Sequence, residues 1–172
     1  MPDRPVSSVI WPHGLDEIKA FYGDPWNFIF KAEDGRLVTP IEWEAQILTD
    51  ITLPLPLPLS FGGVAQRIAC HVRVADSLFR ILTAIRRQDL WLELIPFGGC
   101  YNVRPKSARV DVLSTHSWGI ALDFAVDRNR RGTTGSMHPG IVAEFEAEGW
   151  TWGGHWPGQT CDPMHVQACS GY

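Results

Sequence analysis

Apolar residues recur at three- and four-residue spacing from Val64 to Leu90, where Ile68, Val72, Ala75, Phe79, Leu82 and Ile85 are interleaved with arginines. That period predicts one long amphipathic helix, continuous or once interrupted. Upstream, a short helix is predicted near Leu15 to Tyr22, and Asp34-Gly35 at the centre of Lys31 to Val38 predicts a small turn or hairpin. Downstream, Trp91 to Ile95 alternates toward a strand, and Pro96-Phe97-Gly98-Gly99 marks a turn. Ile120 to Val126 reads as a second strand. Pro139 to Glu148 reads as a short helix, with proline in its first turn and Gly149 after its end. TWGGHW and MHVQAC close the chain as short strands joined by a loop.

The run LPLPLPL, residues 53 to 59, fits neither period. Alternating prolines exclude a helix and a central strand, so the run is expected to form an extended, polyproline-like arm with its leucines against the core. A structural connector is favoured over a recognition motif. The order of helix, strands, helix and strands favours an α+β fold over a parallel βαβ array. At 172 residues the chain suits one domain, and it shows no repeat.

Composition narrows the classes. With 45% hydrophobic and 20% charged residues, the chain has the balance of an ordinary globular protein. A formal net charge of −4 gives no general attraction for phosphate backbones or anionic lipid, which argues against a nucleic-acid partner. No apolar run reaches membrane-spanning length, so membrane insertion is not expected. MPDRPVSSVIWPHGLDEI does not read as a signal peptide, and the expected location of the chain as synthesised is cytoplasmic. Cys70, Cys100, Cys161 and Cys169 contain no CxxC pair and are expected to be mostly buried thiols without disulfides.

The candidate chemistry starts at STHSWGIALD, residues 114 to 123. Gly119 permits a sharp turn, and the apolar residues after it suggest a buried strand with Ala121 and Asp123 on one side. A carboxylate flanked by Leu122 and Phe124 costs several kcal/mol, roughly, to bury unless a cation or a set of donors compensates it. His116 stands just before the turn and can aim at the same point. A divalent metal would satisfy both, and a simple buried His-Asp hydrogen bond is the alternative. In CDPMHVQ, residues 161 to 167, Asp162 precedes proline and is pushed toward extended backbone, three residues before His165. Two histidines and one carboxylate make the three-ligand pattern of a catalytic zinc site with one open position. A further acid beside that position, Asp162, is what hydrolysis requires.

The pattern Ser-x-His-x-x-Gly-x-x-x-Asp at Ser114, His116, Gly119 and Asp123, followed by Asp-x-x-His at Asp162 and His165, resembles the zinc D,D-peptidase family. That family includes D-alanyl-D-alanine carboxypeptidases and phage L-alanyl-D-glutamate endopeptidases. GCYNVR, ending at Arg104, and WTWGGHW are similar to the endopeptidase branch in particular. The resemblance covers about residues 64 to 172, and residues 1 to 63 are expected to be an N-terminal extension packed on that domain. It implies a small antiparallel sheet with flanking helices of the D,D-peptidase/hedgehog-like kind. It also implies zinc held by His116, Asp123 and His165, Asp162 as catalytic base and Arg104 on the oxyanion side, where the alternative for Arg104 is a surface salt bridge.

Ser114, Trp118, Trp152 and His155 are the candidate substrate contacts, with a solvated surface position as the alternative for His155. Pro163 argues against a helical metal stripe of Cys161, His165 and Cys169. The implied partner is the stem peptide of bacterial peptidoglycan, attacked by a monomeric endolysin that reaches the wall through a holin. Two alternatives stay open: a D-alanyl-D-alanine carboxypeptidase, and a non-catalytic wall-binding or phage structural module stabilised by zinc.

Overall fold

In the computed structural model, which describes residues 9–106 and 109–172, the chain enters helix α1 (Gly14–Tyr22) as predicted. The first eight residues of the stretch read for a leader lie outside the described residues. Ile18 and Tyr22 of α1 are buried, and the Tyr22 hydroxyl donates to the Ala168 carbonyl at 2.8 Å. Trp11 Nε1 donates to the Glu148 carbonyl at 2.8 Å, so both ends of the chain share one core. Strands β1 (Phe30–Lys31) and β2 (Leu37–Val38) pair antiparallel across Asp34-Gly35 as a minimal hairpin, and helix α2 (Ile41–Ile47) follows.

Strand β3 (Leu48–Pro58) pairs antiparallel with β4 (Val64–His71). The leucine-proline arm is the second half of β3. The ladder loses register between Thr52 and Leu57, so Pro54 and Pro56 fall where no backbone N–H is demanded. Leu53 and Leu57 are buried, whereas Leu55 is exposed, so the leucines contribute to the core only in part. β4 corrects the expected helix over Val64 to Leu90: the helix α3 starts only at Ala75 and runs to Arg87. Ile68 and Cys70 alternate inward on β4 because β3 offers a long edge to pair with. Within α3, Leu78, Ile81, Leu82 and Ile85 form the buried face, and Phe79 points away from it. The division expected after residue 63 falls at the tip of the β3–β4 hairpin.

Trp91–Leu94 forms a 3₁₀ turn rather than a strand, with Trp91 and Leu94 both buried at the three-residue spacing of that helix. The expected turn at residues 96 to 99 is instead strand β5 (Phe97–Gly99). Then come β6 (Pro105–Lys106), β7 (Arg109–Leu113), β8 (Ala121–Phe124), α4 (Pro139–Ala147), β9 (Thr151–Trp152) and β10 (His165–Gln167). β6 and β7 pair with each other, and the central sheet has the order β5-β8-β10-β9 with every pairing antiparallel. The fold is therefore α+β, with small antiparallel sheets and helices about them. α3 meets the end of α4 through a buried carboxylate. Arg80 donates to Glu148 from Nε at 3.1 Å and Nη2 at 2.8 Å, and Ser77 Oγ donates at 3.0 Å. This bidentate pairing compensates a charge that burial would otherwise make costly. Among the described residues no helix is long and apolar enough to cross a membrane.

Candidate metal centre

Ser114 opens a 3₁₀ turn over Thr115–Trp118, and its Oγ accepts from the His116 N–H at 3.4 Å. The turn ends at Gly119, whose φ of 67° is left-handed and whose added Cβ would lie 2.9 Å from Leu48 Cδ2. The chain then enters β8, where Asp123 is the register partner of His165 on β10, so both side chains leave the same face of the sheet. His165 Nδ1 stands 3.0 Å from Asp123 Oδ1, and His116 Nε2 stands 3.3 Å from Oδ2. The imidazole rings meet edge to face at 5.1 Å. The ligand atoms of His116, Asp123 and His165 all lie within 4.8 Å of one another.

The hydrogen bonds around these rings decide whether the trio suits a cation. His116 Nδ1 is 2.6 Å from the Cys100 carbonyl, which can only accept, so Nδ1 carries the proton and Nε2 presents a lone pair. That Nε2 is buried and makes no hydrogen bond among the described residues. His165 Nε2 lies 3.1 Å from Gln167 Oε1, whose amide is oriented by donation from its nitrogen to the Cys169 carbonyl at 3.3 Å. Thr115 Oγ1 also donates to Gln167 Oε1, at 3.0 Å. His165 Nε2 therefore donates, and Nδ1 turns a second lone pair toward Asp123. Two nitrogen lone pairs aimed at one carboxylate repel it until a positive charge enters between them. The donor set, its burial and its outer hydrogen bonds fit zinc. A proton on His165 would serve the same end. Burial alone would raise Asp123 and lower His165, but His116 and His165 together hold Asp123 low, and Asp123 holds His165 high.

Asp162 arrives from the other side. Its N–H donates to the Gly153 carbonyl at 2.9 Å, and its carbonyl accepts from the His165 N–H at 3.0 Å. A Cβ on Gly153 would lie 2.5 Å from the Asp162 carbonyl oxygen, so the glycine is what allows this close approach. Asp162 Oδ1 is buried and has no hydrogen-bond partner among the described residues. Burial raises the Asp162 pKa above the usual carboxylate range; the neighbouring Asp123 charge adds to this, while His165 opposes it. A cleft of about 750 Å³ opens over Asp123, Asp162 and His165, and Arg104 lines it as well. Arg104 is fastened by its backbone, with its N–H donating to Ser117 Oγ at 3.1 Å and its carbonyl accepting from the Ser114 N–H at 2.9 Å. A second cavity of about 280 Å³ is lined by Arg104, His116 and Asp123 together with Phe61 and Gly98–Asn102.

The structure thus gathers His116, Asp123, His165, Asp162 and Arg104 at one place. Ser114 lines the cleft too, with its hydroxyl engaged in the turn. The remaining candidates lie elsewhere. Trp118 is fully buried, and its Nε1 donates to the Gly23 carbonyl at 2.7 Å, which makes it core rather than cleft wall. Trp152 does not line the cleft; its Nε1 donates to the Pro163 carbonyl at 2.7 Å and braces the Asp162 loop. His155 is exposed and pairs with Glu146 at 2.8 Å, the surface alternative stated for it. The aromatic wall is Trp156, whose ring tilts over His165 at 5.5 Å. Gln167 and the Cys100 carbonyl went unnoticed in the sequence. Gln167 had a signal, since it follows His165 by two on a strand, but a backbone carbonyl has none.

Residues 108–168 match a family model described as D-alanyl-D-alanine carboxypeptidase. This segment belongs to the zinc D,D-peptidase family. The match spans the three ligands and Asp162 and stops short of Arg104. Zinc is the cofactor of this family, and the chain has the buried His-Asp-His set to hold it. In general terms, family and site together describe a zinc metallopeptidase of the peptidoglycan-acting kind. Searches of curated proteins and of solved structures returned no match.

Proposed function

We propose that the protein is a zinc endopeptidase that cuts the stem peptide of peptidoglycan between L-alanine and D-glutamate. The observation that carries this reading is the position of Asp123 and Arg104, which line both the large cleft and the smaller cavity. His165 and Asp162 belong to the first and His116 to the second, so the centre sits where two spaces meet. An internal bond needs room for chain on both sides, whereas a terminal one needs room on only one. When bound, zinc supplies Lewis acidity that polarises a carbonyl and acidifies water. Asp162, with its unpaired buried oxygen and raised pKa, takes the proton from the attacking water and returns it to the departing amine. Arg104 offers its guanidinium to the negative charge that develops on the carbonyl oxygen. An acid beside the metal and a cation in the same cleft support catalysis over a purely structural zinc.

The fine fold assignment, D,D-peptidase/hedgehog-like, and the endolysin role with release through a holin belong to the same proposal. They rest on the likeness of GCYNVR and WTWGGHW to the endopeptidase branch. The description of the matching family model favours a second reading, D-alanyl-D-alanine carboxypeptidase. Mass spectrometry of muropeptides digested with the zinc-loaded protein separates the two. Products that leave L-alanine on the sugar are expected. Release of free D-alanine, with the L-alanyl-D-glutamate bond intact, would select the carboxypeptidase.

A further inference from the structure

Arg104, Lys106, Arg109 and Arg131 all line the large cleft of a chain whose net charge is −4, and the only carboxylate side chains lining it among the described residues are those of Asp123 and Asp162 of the centre itself. Arg109 is neutralised by Asp111 through bonds of 3.0 and 2.8 Å. Among the described residues no carboxylate lies within salt-bridge distance of Lys106 or Arg131. Lys106 is half-buried, not a solvated surface lysine. Its ammonium sits 3.7 Å from the centroid of the Tyr172 ring. Tyr172 is fixed in turn by donation of its hydroxyl to the Leu113 carbonyl at 2.6 Å and by an edge contact with Trp118 at 6.0 Å. Arg131 lines the same cleft as Lys106 and Asp162, and the N–H of the next residue, Gly132, donates to the Cys161 carbonyl at 2.7 Å, which ties the Arg131 segment to the backbone beside Asp162. Two cations that line one cleft without a side-chain counter-charge of their own favour an anion bound there.

We infer that Lys106 and Arg131 form a carboxylate subsite of the cleft, taking the free carboxylate of the residue that departs as the amine. The side follows from Arg131 neighbouring Asp162, the group assigned to protonate that amine. This rests on the peptidase reading above. For an internal cut, the carboxylate is that of D-glutamate; for a terminal cut, it is that of D-alanine. The chemistry is the same in both, and the sources can be separated.

The test uses synthetic stem peptides with carboxamide in place of carboxylate, either at D-glutamate or at the C-terminus. Cleavage is followed with the zinc-loaded protein, and binding is followed by calorimetry with the Asp162→Asn protein. One of the two amidations should lower kcat/KM about tenfold, mainly through KM, and weaken binding to a similar degree. Lys106→Gln and Arg131→Gln should erase that preference, while Lys106→Arg should keep it. Sensitivity at D-glutamate identifies the internal carboxylate, and sensitivity at the C-terminus identifies the terminal one. Equal cleavage and equal binding of all three peptides would overturn the subsite and leave the peptidase reading intact. If no peptide is cut but a carboxylate preference in binding persists and depends on Lys106, the subsite stands and the peptidase reading fails.

Discussion

Asp123 and His165 are register partners across the β8–β10 pair, and their Oδ1 and Nδ1 atoms stand 3.0 Å apart with the second nitrogen of His165 tied to Gln167. The ligand geometry therefore depends on a hydrogen bond one layer out. Gln167→Leu should keep the fold yet weaken zinc affinity by about 10- to 100-fold, because His165 loses the acceptor that sets its tautomer. His116→Ala should lose the metal altogether. Competition with a zinc chelator measures both, and unchanged affinity in Gln167→Leu would remove the outer bond from the account.

Trp118 and Trp156 separate packing from the cleft. Trp118→Ala removes a fully buried ring and its bond to the Gly23 carbonyl, and should cost about 3–5 kcal/mol of stability. Trp156→Ala, at the cleft wall, should raise KM with a much smaller loss of stability. Denaturant titration alongside steady-state kinetics checks the pair. A Trp118→Ala protein of normal stability but altered substrate preference would return that residue to the cleft.

Acid sensitivity should arise at His71, which lies outside the metal centre. Its Nδ1 accepts from the Arg73 N–H at 3.1 Å, and its Nε2 faces the Tyr22 carbonyl at 3.1 Å, a neutral pattern. Burial pushes its pKa down to about 4, against the bond to Tyr22. Between that value and the unfolded pKa of ~6.5, the unfolded chain binds a proton that the folded one excludes. Stability should thus fall as pH drops through this window, by up to about 3 kcal/mol. His71→Gln should flatten that slope when both proteins are unfolded in urea with chelator present. Parallel pH profiles would contradict the assignment.

The site was more legible in the sequence than the fold around it. His116, Asp123, Asp162 and His165 stand out because a carboxylate among apolar residues, and an acid before proline, are costly unless they serve a purpose. β4 departs from the expected helix because Ile68 and Val72 satisfy a helical spacing as well as they do a strand, and only the partner strand β3 decides between them. Trp91 to Ile95 is too short for its spacing to distinguish a strand from the 3₁₀ turn it forms. The Cys100 carbonyl and the Lys106–Tyr172 contact depend on backbone position and on long-range packing, which no local pattern encodes.

The central claim is that Asp162 moves protons beside a metal that other residues hold. Zinc content and turnover of Asp162→Asn, measured on the same preparation, test it most directly. The account predicts one zinc per chain, an unchanged fold and a kcat lowered by about 10²- to 10⁴-fold. Near-normal turnover, or a loss of activity that tracks a loss of zinc, would contradict it.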